Sequence, residues 1–488
     1  MSVSFSTIVQ RARPLPITQT SHALRDALAK LPPTTVSKLP NGVRVACEEN
    51  PLAKFATVGL WLDVGYKHEQ RHQNGLLKVL EQAGFQGTVN LDRKQLSRAI
   101  DETGGHLLVD VGRERSYFML KCARDNVPKA VGLLSDVVRN ARLSDADVAE
   151  AKKAVNKIRY ESEELVDQLV MDNLHTVAFD ATETGGLGLT PTGTTRSVDG
   201  LSVNDLKDFR SAHFTGPRTL LVGSGAVNHT QLEKLAQSFL GDLPSISKKP
   251  IISSRFVGGD MRLWNLRFKT AHIAWAFETC GASCADVVPL TLSTHIHGGF
   301  HRSQHELGQH AIHRVMKTFS SLDHGTPTNT PFPEKAIETL NSFSHFYEDT
   351  GLVGQYVVGR PAQTGPGDAS SMYQLLQLSM VDFTRLAQKC VYDRELDQAK
   401  VNYKAQLLFN ADGATNSNLD IGNQVLSIGR RVPLDEMYAR IDDVTPTNVQ
   451  ETLQHYFYSR RPVLSMLGYL YPLPGYDALC FWMWKYWY

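Results

Sequence analysis

Three sets of residues in this chain are of types and spacings that could do chemistry. The first is His68-Glu69-Gln70-Arg71-His72, which has the HExxH spacing. On a helix that spacing puts two imidazoles one turn apart on one face, with the Glu ready to act as base to a zinc-bound water. Its flanks, Lys67 and Gln73-Asn74-Gly75, supply no apolar partner at helical spacing, and Asn-Gly is a turn signal. The segment reads as a solvated loop between a strand and a helix. A zinc peptidase using His68 and His72 stays open as an alternative. The second set is the histidine-rich run His295, His297, His301, His305, His310 and His313. His301 and His305 would stand one turn apart on a helix, while His305-Glu306 with His310 misses the zincin spacing by one residue. Without an acidic or thiolate third ligand, the run reads as a polar, solvated helix face.

The third set lies on the stretch Asn74–Thr88. Asn74 is a capping residue, and Leu76, Val79, Leu80 and Ala83 recur at three-to-four-residue steps, which predicts a helix over 75–83. Lys78, Glu81 and Gln82 then share another face. The reversed zinc motif H-x-x-E-H has this spacing, with two His ligands around a Glu base. Here it reads Lys78-Val79-Leu80-Glu81-Gln82: the base is present, and both ligand positions hold other residues. Taken alone, Glu81 would be an ordinary Glu on an amphipathic helix.

A chain of 488 residues predicts two or three domains, and 42% hydrophobic with 21% charged residues is a globular composition. A formal net charge of +1 gives no global field of the kind nucleic-acid binders use. No apolar run reaches the ~18 residues a membrane-spanning helix needs. The six Cys include one close pair, Cys280-x3-Cys284, and no second pair completes a tetrahedral metal site, so reduced, mostly buried thiols are expected. From Met1 to Arg25 there is no acidic residue, while Arg11, Arg13 and Arg25 alternate with Ser, Thr and apolar residues, as in a mitochondrial targeting arm.

In chain order, the arm ends at Leu31-Pro32-Pro33. Residues 36–46 read as a hairpin turning at Asn41-Gly42, and 57–65 alternates as a half-buried strand. A helix near 92–103, strands at 106–111 and 116–122, and helices at 127–140 and about 145–175 follow, the last opened by Ser144 and Asp147. Strand 218–225 and helix 229–239 close the first half. The second half replays it: strand 272–278, helix 285–297, strands 339–347 and 352–359, helices 368–389 and 393–412, and strand 463–470. The fold class expected is α+β, two homologous modules each with a mostly antiparallel sheet and helices packed on it, repeating after roughly 200 residues. The divisions are 1–33 arm, 34–242 first module, 243–257 linker, 258–472 second module and 473–488 aromatic tail. The nine residues Cys480–Tyr488 cannot span a bilayer, but Trp and Tyr suit a headgroup or partner surface.

From Thr34 onward the sequence resembles one branch of the inverzincin, pitrilysin-type metallopeptidases. That branch holds the β-subunits of mitochondrial processing peptidase and the first core proteins of ubiquinol–cytochrome c reductase (complex III). The resemblance is carried by Asn41–Val45, Asp63-Val64-Gly65, Asn74-Gly75, Leu80-Glu81, Phe85–Thr88, Gly105-His106-Leu107 and Arg113-Glu114. In the second half it is carried by Asn341-Ser342-Phe343, Tyr347–Tyr356, Asp412-Gly413, Asp420–Gly422, Arg430–Pro433, Ala439–Asp442 and Leu473–Tyr476. It implies that the family's ligand positions fall on Lys78, Gln82 and Ile158, that a further family Glu falls on Ala151, and that a substrate-holding Asn falls on Leu108. Glu81 is then a vestigial base, with no metal and no cofactor. The role implied is structural. The chain would be a matrix-side subunit, peripheral to the mitochondrial inner membrane. It would pair with a second core protein, support cytochrome b, cytochrome c1 and the Rieske subunit, and belong to a complex that is dimeric as a whole. A non-catalytic or weakly active subunit of a soluble processing peptidase is the alternative.

Overall fold

A computed structural model of the chain describes Leu28 and residues 31–183, 185–245, 252–265, 267–301, 337–359, 369–388, 391–470, 473 and 475–485. Nearly all of the basic arm, His305, His310, His313 and Tyr486–Tyr488 lie outside the described residues. The Asn41-Gly42 hairpin forms: β1 (Thr34–Lys38) pairs antiparallel with β2 (Arg44–Glu49), and Gly42 takes a φ of 94° that favours glycine. β3 (Phe55–Leu62), β4 (His106–Val111), β5 (Ser116–Ala123) and β6 (Thr219–Gly225) complete a sheet in the order β1-β2-β6-β3-β5-β4. A second sheet runs β7-β12-β8-β11-β10-β9, from β7 (Gly259–Trp264), β8 (Ala271–Cys280), β9 (Gly299–His301), β10 (Ile337–Phe346), β11 (Thr350–Gly359) and β12 (Val463–Gly468). Each sheet has one parallel pair, β2 with β6 and β7 with β12, and is otherwise antiparallel. The run β2-β6-β3-β5-β4 matches β7-β12-β8-β11-β10 neighbour for neighbour. The weak repeat in the sequence is thus a repeat of topology, and the α+β expectation holds.

The first half adds α1 (Leu76–Gly84), α2 (Arg93–Asp101), α3 (Val127–Arg139), α4 (Asp145–Glu163), α5 (Val166–Ala178), α6 (Thr195–Gly200), α7 (Val203–His213) and α8 (His229–Leu240). The second adds α9 (Val287–His297), α10 (Ala369–Gln388), α11 (Asp393–Asn410), α12 (Ala414–Ser427), α13 (Leu434–Asp443), α14 (Pro446–Phe457) and α15 (Tyr476–Lys485). Ser144 and Asp147 form the reciprocal cap expected for α4. The helix expected over 145–175 is two, parted at Glu164-Leu165. The sequence pattern does not mark α12, α13 or α14.

Strand alternation decides which residues meet which helices. In β3, Ala56, Val58, Leu60 and Leu62 enter the core that includes α3 and α8 residues, while Trp61 points to the opposite face. That face is covered by α12, a helix from the second half: Ile421 and Val425 pack with Trp61, Met119, Leu220 and Val222. The second sheet is covered reciprocally. Ile273, Trp275 and Phe277 of β8 pack toward α10 and α14, while Ala274 and Ala276 meet Val170, Leu174 and Ala178 of α5, a helix from the first half. The two halves therefore exchange a helix.

The α12 contact is close. Asn418, with no exposed surface, accepts from Trp61 Nε1 at 3.0 Å and donates to the carbonyls of Thr57 and Val222 at 3.1 Å each. Gly422 lies so near the indole that a Cβ there would fall 2.1 Å from its Cε2. At the sequence tail, α15 docks through Leu479, which is fully buried, while Phe481 is exposed. The Tyr476 hydroxyl donates to the Pro462 carbonyl at 2.8 Å.

Candidate functional site

The site around Glu81 is built from the first turn of α1 upward. Helix N-termini leave backbone N–H groups without intrahelical partners. At α1 these are met by Glu69, six and eight residues upstream of the groups it caps. Its Oε2 accepts from Gly75 N at 2.8 Å and Asn74 Nδ2 at 2.9 Å, and its Oε1 accepts from Leu77 N at 2.6 Å. Asn74 does not cap the helix. It donates to Glu69 and to the Thr190 carbonyl, and Gly75 takes the N-cap position with a φ of 94°. Glu69 is completely buried, and that burial pushes its carboxyl up to about 7 despite the three donors.

The HExxH pentapeptide is therefore a loop, but not a solvated one. Residues 66–68 and 71–73 are separate 3₁₀ turns, with Glu69 and Gln70 extended between them. His68 is buried, and desolvation, reinforced by Arg218 and His213, lowers its imidazole to about 2. His72 is exposed. The two imidazoles share no helix face. The hydrophilic flanks are buried because Glu69 is met by the amides of Asn74, Gly75 and Leu77 and Lys67 by the distant Glu114 and Asp349.

On α1, Lys78 Nζ donates to Glu81 Oε2 at 2.7 Å and Gln82 Nε2 donates to Glu81 Oε1 at 3.0 Å. The shared face expected from helical spacing forms, and Lys78 and Gln82 each hold one oxygen of Glu81. Glu81 is buried; desolvation raises its carboxyl above the ordinary range, and the Lys78 ammonium opposes that shift. It borders a small cavity also lined by Leu62, Val111 and Phe118. Helix α4 packs on α1. Its Val148, Ala151 and Val155 are buried and Ile158 is half-buried. Leu108, on the edge strand β4, packs against the Trp61 cluster. No three His, Cys, Asp or Glu gather into a metal-holding group among the described residues.

The described members of the histidine run do not share one helix face. His297 ends α9, buried and stacked on Phe383 at 4.2 Å, His295 lies in the last turn of α9 with its ring 5.1 Å from Tyr403, and His301 is on β9. Of the described thiols, Cys47 and Cys122 are buried, while Cys280, Cys284 and Cys480 are half-buried.

Sequence reading missed a polar joint between the halves. Lys67 pairs with Glu114 at 3.0 Å and with Asp349 at 3.4 Å, and Glu114 also accepts from Glu348 N at 2.9 Å. Beside it, Arg113 pairs with Asp172 at 2.5 Å and donates to the Tyr66 hydroxyl at 2.8 Å. His175 Nδ1 lies 2.6 Å from the Met171 carbonyl and its Nε2 lies 2.6 Å from the Tyr347 hydroxyl. Burial and the Arg113 cation hold His175 well below the ordinary imidazole range, so the neutral ring donates at Nδ1 and accepts at Nε2. Each of these groups is partnered, which makes the cluster a brace between halves. Its only trace in the sequence was Arg113-Glu114 and Tyr347-Glu348-Asp349 standing in two distant segments.

Known proteins can now be set beside this geometry. Residues 44–192 match Insulinase (Peptidase family M16), and residues 200–403 match Peptidase M16 inactive domain. The chain is 32% identical over 449 residues to the mitochondrial ubiquinol-cytochrome-c reductase complex core protein I of Euglena gracilis, covering 91% of this chain and 87% of that protein. It is 30% identical over 465 residues to the mitochondrial-processing peptidase subunit beta of Bos taurus, covering 95% and 90%. A chain in the solved structure of complex III2 from Candida albicans, Inz-5 bound, superposes with a TM-score of 0.79 at 22% identity, over 92% of this chain and 99% of that one. That last likeness is one of fold.

Proposed function

Because the chain belongs to the M16 peptidase family, we propose that it is a non-catalytic core subunit of mitochondrial ubiquinol–cytochrome c reductase, peripheral on the matrix side of the inner membrane. Its partners on this reading are a second core protein and the cytochrome b, cytochrome c1 and Rieske subunits. The observation that carries the non-catalytic half of the reading is the saturation of Glu81 by Lys78 and Gln82. Zinc takes deprotonated nitrogen, sulfur or oxygen donors. Lys78 offers an ammonium, Gln82 a neutral amide and Ile158 a hydrocarbon, so the donor set does not fit the ion. Support for the complex III half is the similarity to core protein I along nearly the whole chain.

Two measurements test the reading. Metal analysis of the purified chain is expected to find no bound zinc after dialysis. About one equivalent is expected only when Lys78→His, Gln82→His and Ile158→Glu are combined. Stoichiometric zinc in the unaltered chain overturns the degenerate-site reading. Separately, the native protein drawn out of mitochondria in mild detergent is expected to sediment with a haem-bearing membrane complex. The similarity to processing peptidase β-subunits favours one other reading, a subunit of a soluble peptidase. Sedimentation as a haem-free heterodimer would select it.

A further inference from the structure

The pair Cys280 and Cys284 takes no part in the scaffold role. Cys280 ends β8, where it pairs with Thr350 of β11, and Cys284 closes the turn that follows, its N–H donating to the Gly281 carbonyl at 3.0 Å. Both are half-buried free thiols on the two sides of that turn, near enough that each perturbs the other's ionisation. Cys284 sits between exposed Ser283 and Ala285, whereas Cys280 is held in the ladder. Tyr456 of α14 reaches over the pair. Its hydroxyl donates to Asp286 Oδ2 at 3.0 Å, and the Cys284 thiol donates to the same Asp286 oxygen at 3.7 Å.

We propose that Cys280 and Cys284 form a thiol–disulfide exchange site that reacts with low-molecular-weight disulfides. Cys284 is the attacking group, because it stands on the exposed turn, and Cys280 is the resolving one. The neighbouring Cys280 thiol holds the Cys284 thiol below its ordinary range, against burial and the Asp286 charge. Thiolate is the nucleophilic form, so this favours Cys284 as attacker. In the first step Cys284 sulfur bonds to one sulfur of the small disulfide, whose S–S bond breaks and releases one thiolate. In the second, Cys280 loses its proton and its sulfur displaces the remaining small thiol from Cys284. Two protein thiols are oxidised, one small disulfide is reduced to two thiols, and the two protein protons end on them. The product disulfide closes the β8–α9 turn, two residues from Ala282, whose N–H donates to the Tyr347 carbonyl at 2.7 Å. It therefore lies beside the brace between the halves. The inference is independent of the complex III assignment.

The sequence gives a clean readout: trypsin releases both cysteines on one peptide, Thr270–Arg302. The purified full chain is incubated with glutathione disulfide, alkylated, digested and weighed. The expected product is that peptide lighter by two hydrogens and unalkylated, while Cys47 and Cys122 remain alkylatable after denaturation. Cys280→Ser is expected to stop at a glutathione adduct on Cys284, and Cys284→Ser to slow modification of Cys280 about tenfold or more. Full alkylation of both cysteines in the unaltered chain, under conditions that oxidise an exposed control thiol, overturns the proposal. So does a Cys280→Ser chain that carries no adduct.

Discussion

Gly422→Ala is expected to pry α12 from the first sheet and to destabilise the protein by about 2–3 kcal/mol, the upper part of the usual range for overpacking. The added methyl would sit 2.1 Å from Trp61 Cε2 and 2.4 Å from its Cζ2. The indole has no room to yield, since it is 1% exposed and its Nε1 is held by Asn418. Equilibrium unfolding in urea reads the loss. A second substitution makes the cause specific: Trp61→Phe removes the outer benzo carbons, Cζ2 among them, and so relieves part of the collision with the new methyl. The double variant is therefore expected to be more stable than Gly422→Ala alone, although Trp61→Phe by itself opens a cavity and costs stability. Additive losses would sink this account of the contact.

Glu69→Ala should cost more, about 3–5 kcal/mol, because it strips the buried N–H groups of Gly75 and Leu77 and the Asn74 amide of their acceptor, at ~1–3 kcal/mol for each group left unpaired. The loss has a pH signature. The folded carboxyl, near 7, lies above the ordinary 4.5, so between those values the folded state holds the extra proton and stability falls as pH rises. The Glu69 contribution is whole below about 4.5 and fades through about 7. Unfolding midpoints of the unaltered chain and the variant should therefore lie further apart at about pH 5 than near pH 8. A gap that widens with rising pH would show that the carboxylate, and not the acid, is the form the fold prefers.

Much of the architecture was legible because local signals agreed with the tertiary outcome. Asn41-Gly42 needed only a turn, Ser144 with Asp147 only a cap, and β4 with β5 only alternation. The Lys78, Glu81, Gln82 face followed from helical geometry alone. What failed to show depends on distant partners. No Gly or Pro marks the break at Glu164-Leu165; the chain parts there so that α5 can cross to the second sheet. The apolar face of α12 is diluted by Asn418 and Gly422, whose merits appear only once Trp61 is beneath them. Glu69 looked like surface because its charge is met by amides six to eight residues away.

The helix exchange has a consequence for how the chain comes to exist. A polypeptide delivered N-terminus first completes the β6 ladder long before α12 is available. At the usual elongation of about 5–20 residues per second, the Trp61 face stays bare for roughly ten seconds or more. Such a face is sticky, and a holdase that shelters it until the last quarter of the chain arrives would raise yield without touching final stability. A fragment ending at the middle of the molecule would lack that cover permanently and should precipitate, so heterologous production has to be of the whole chain.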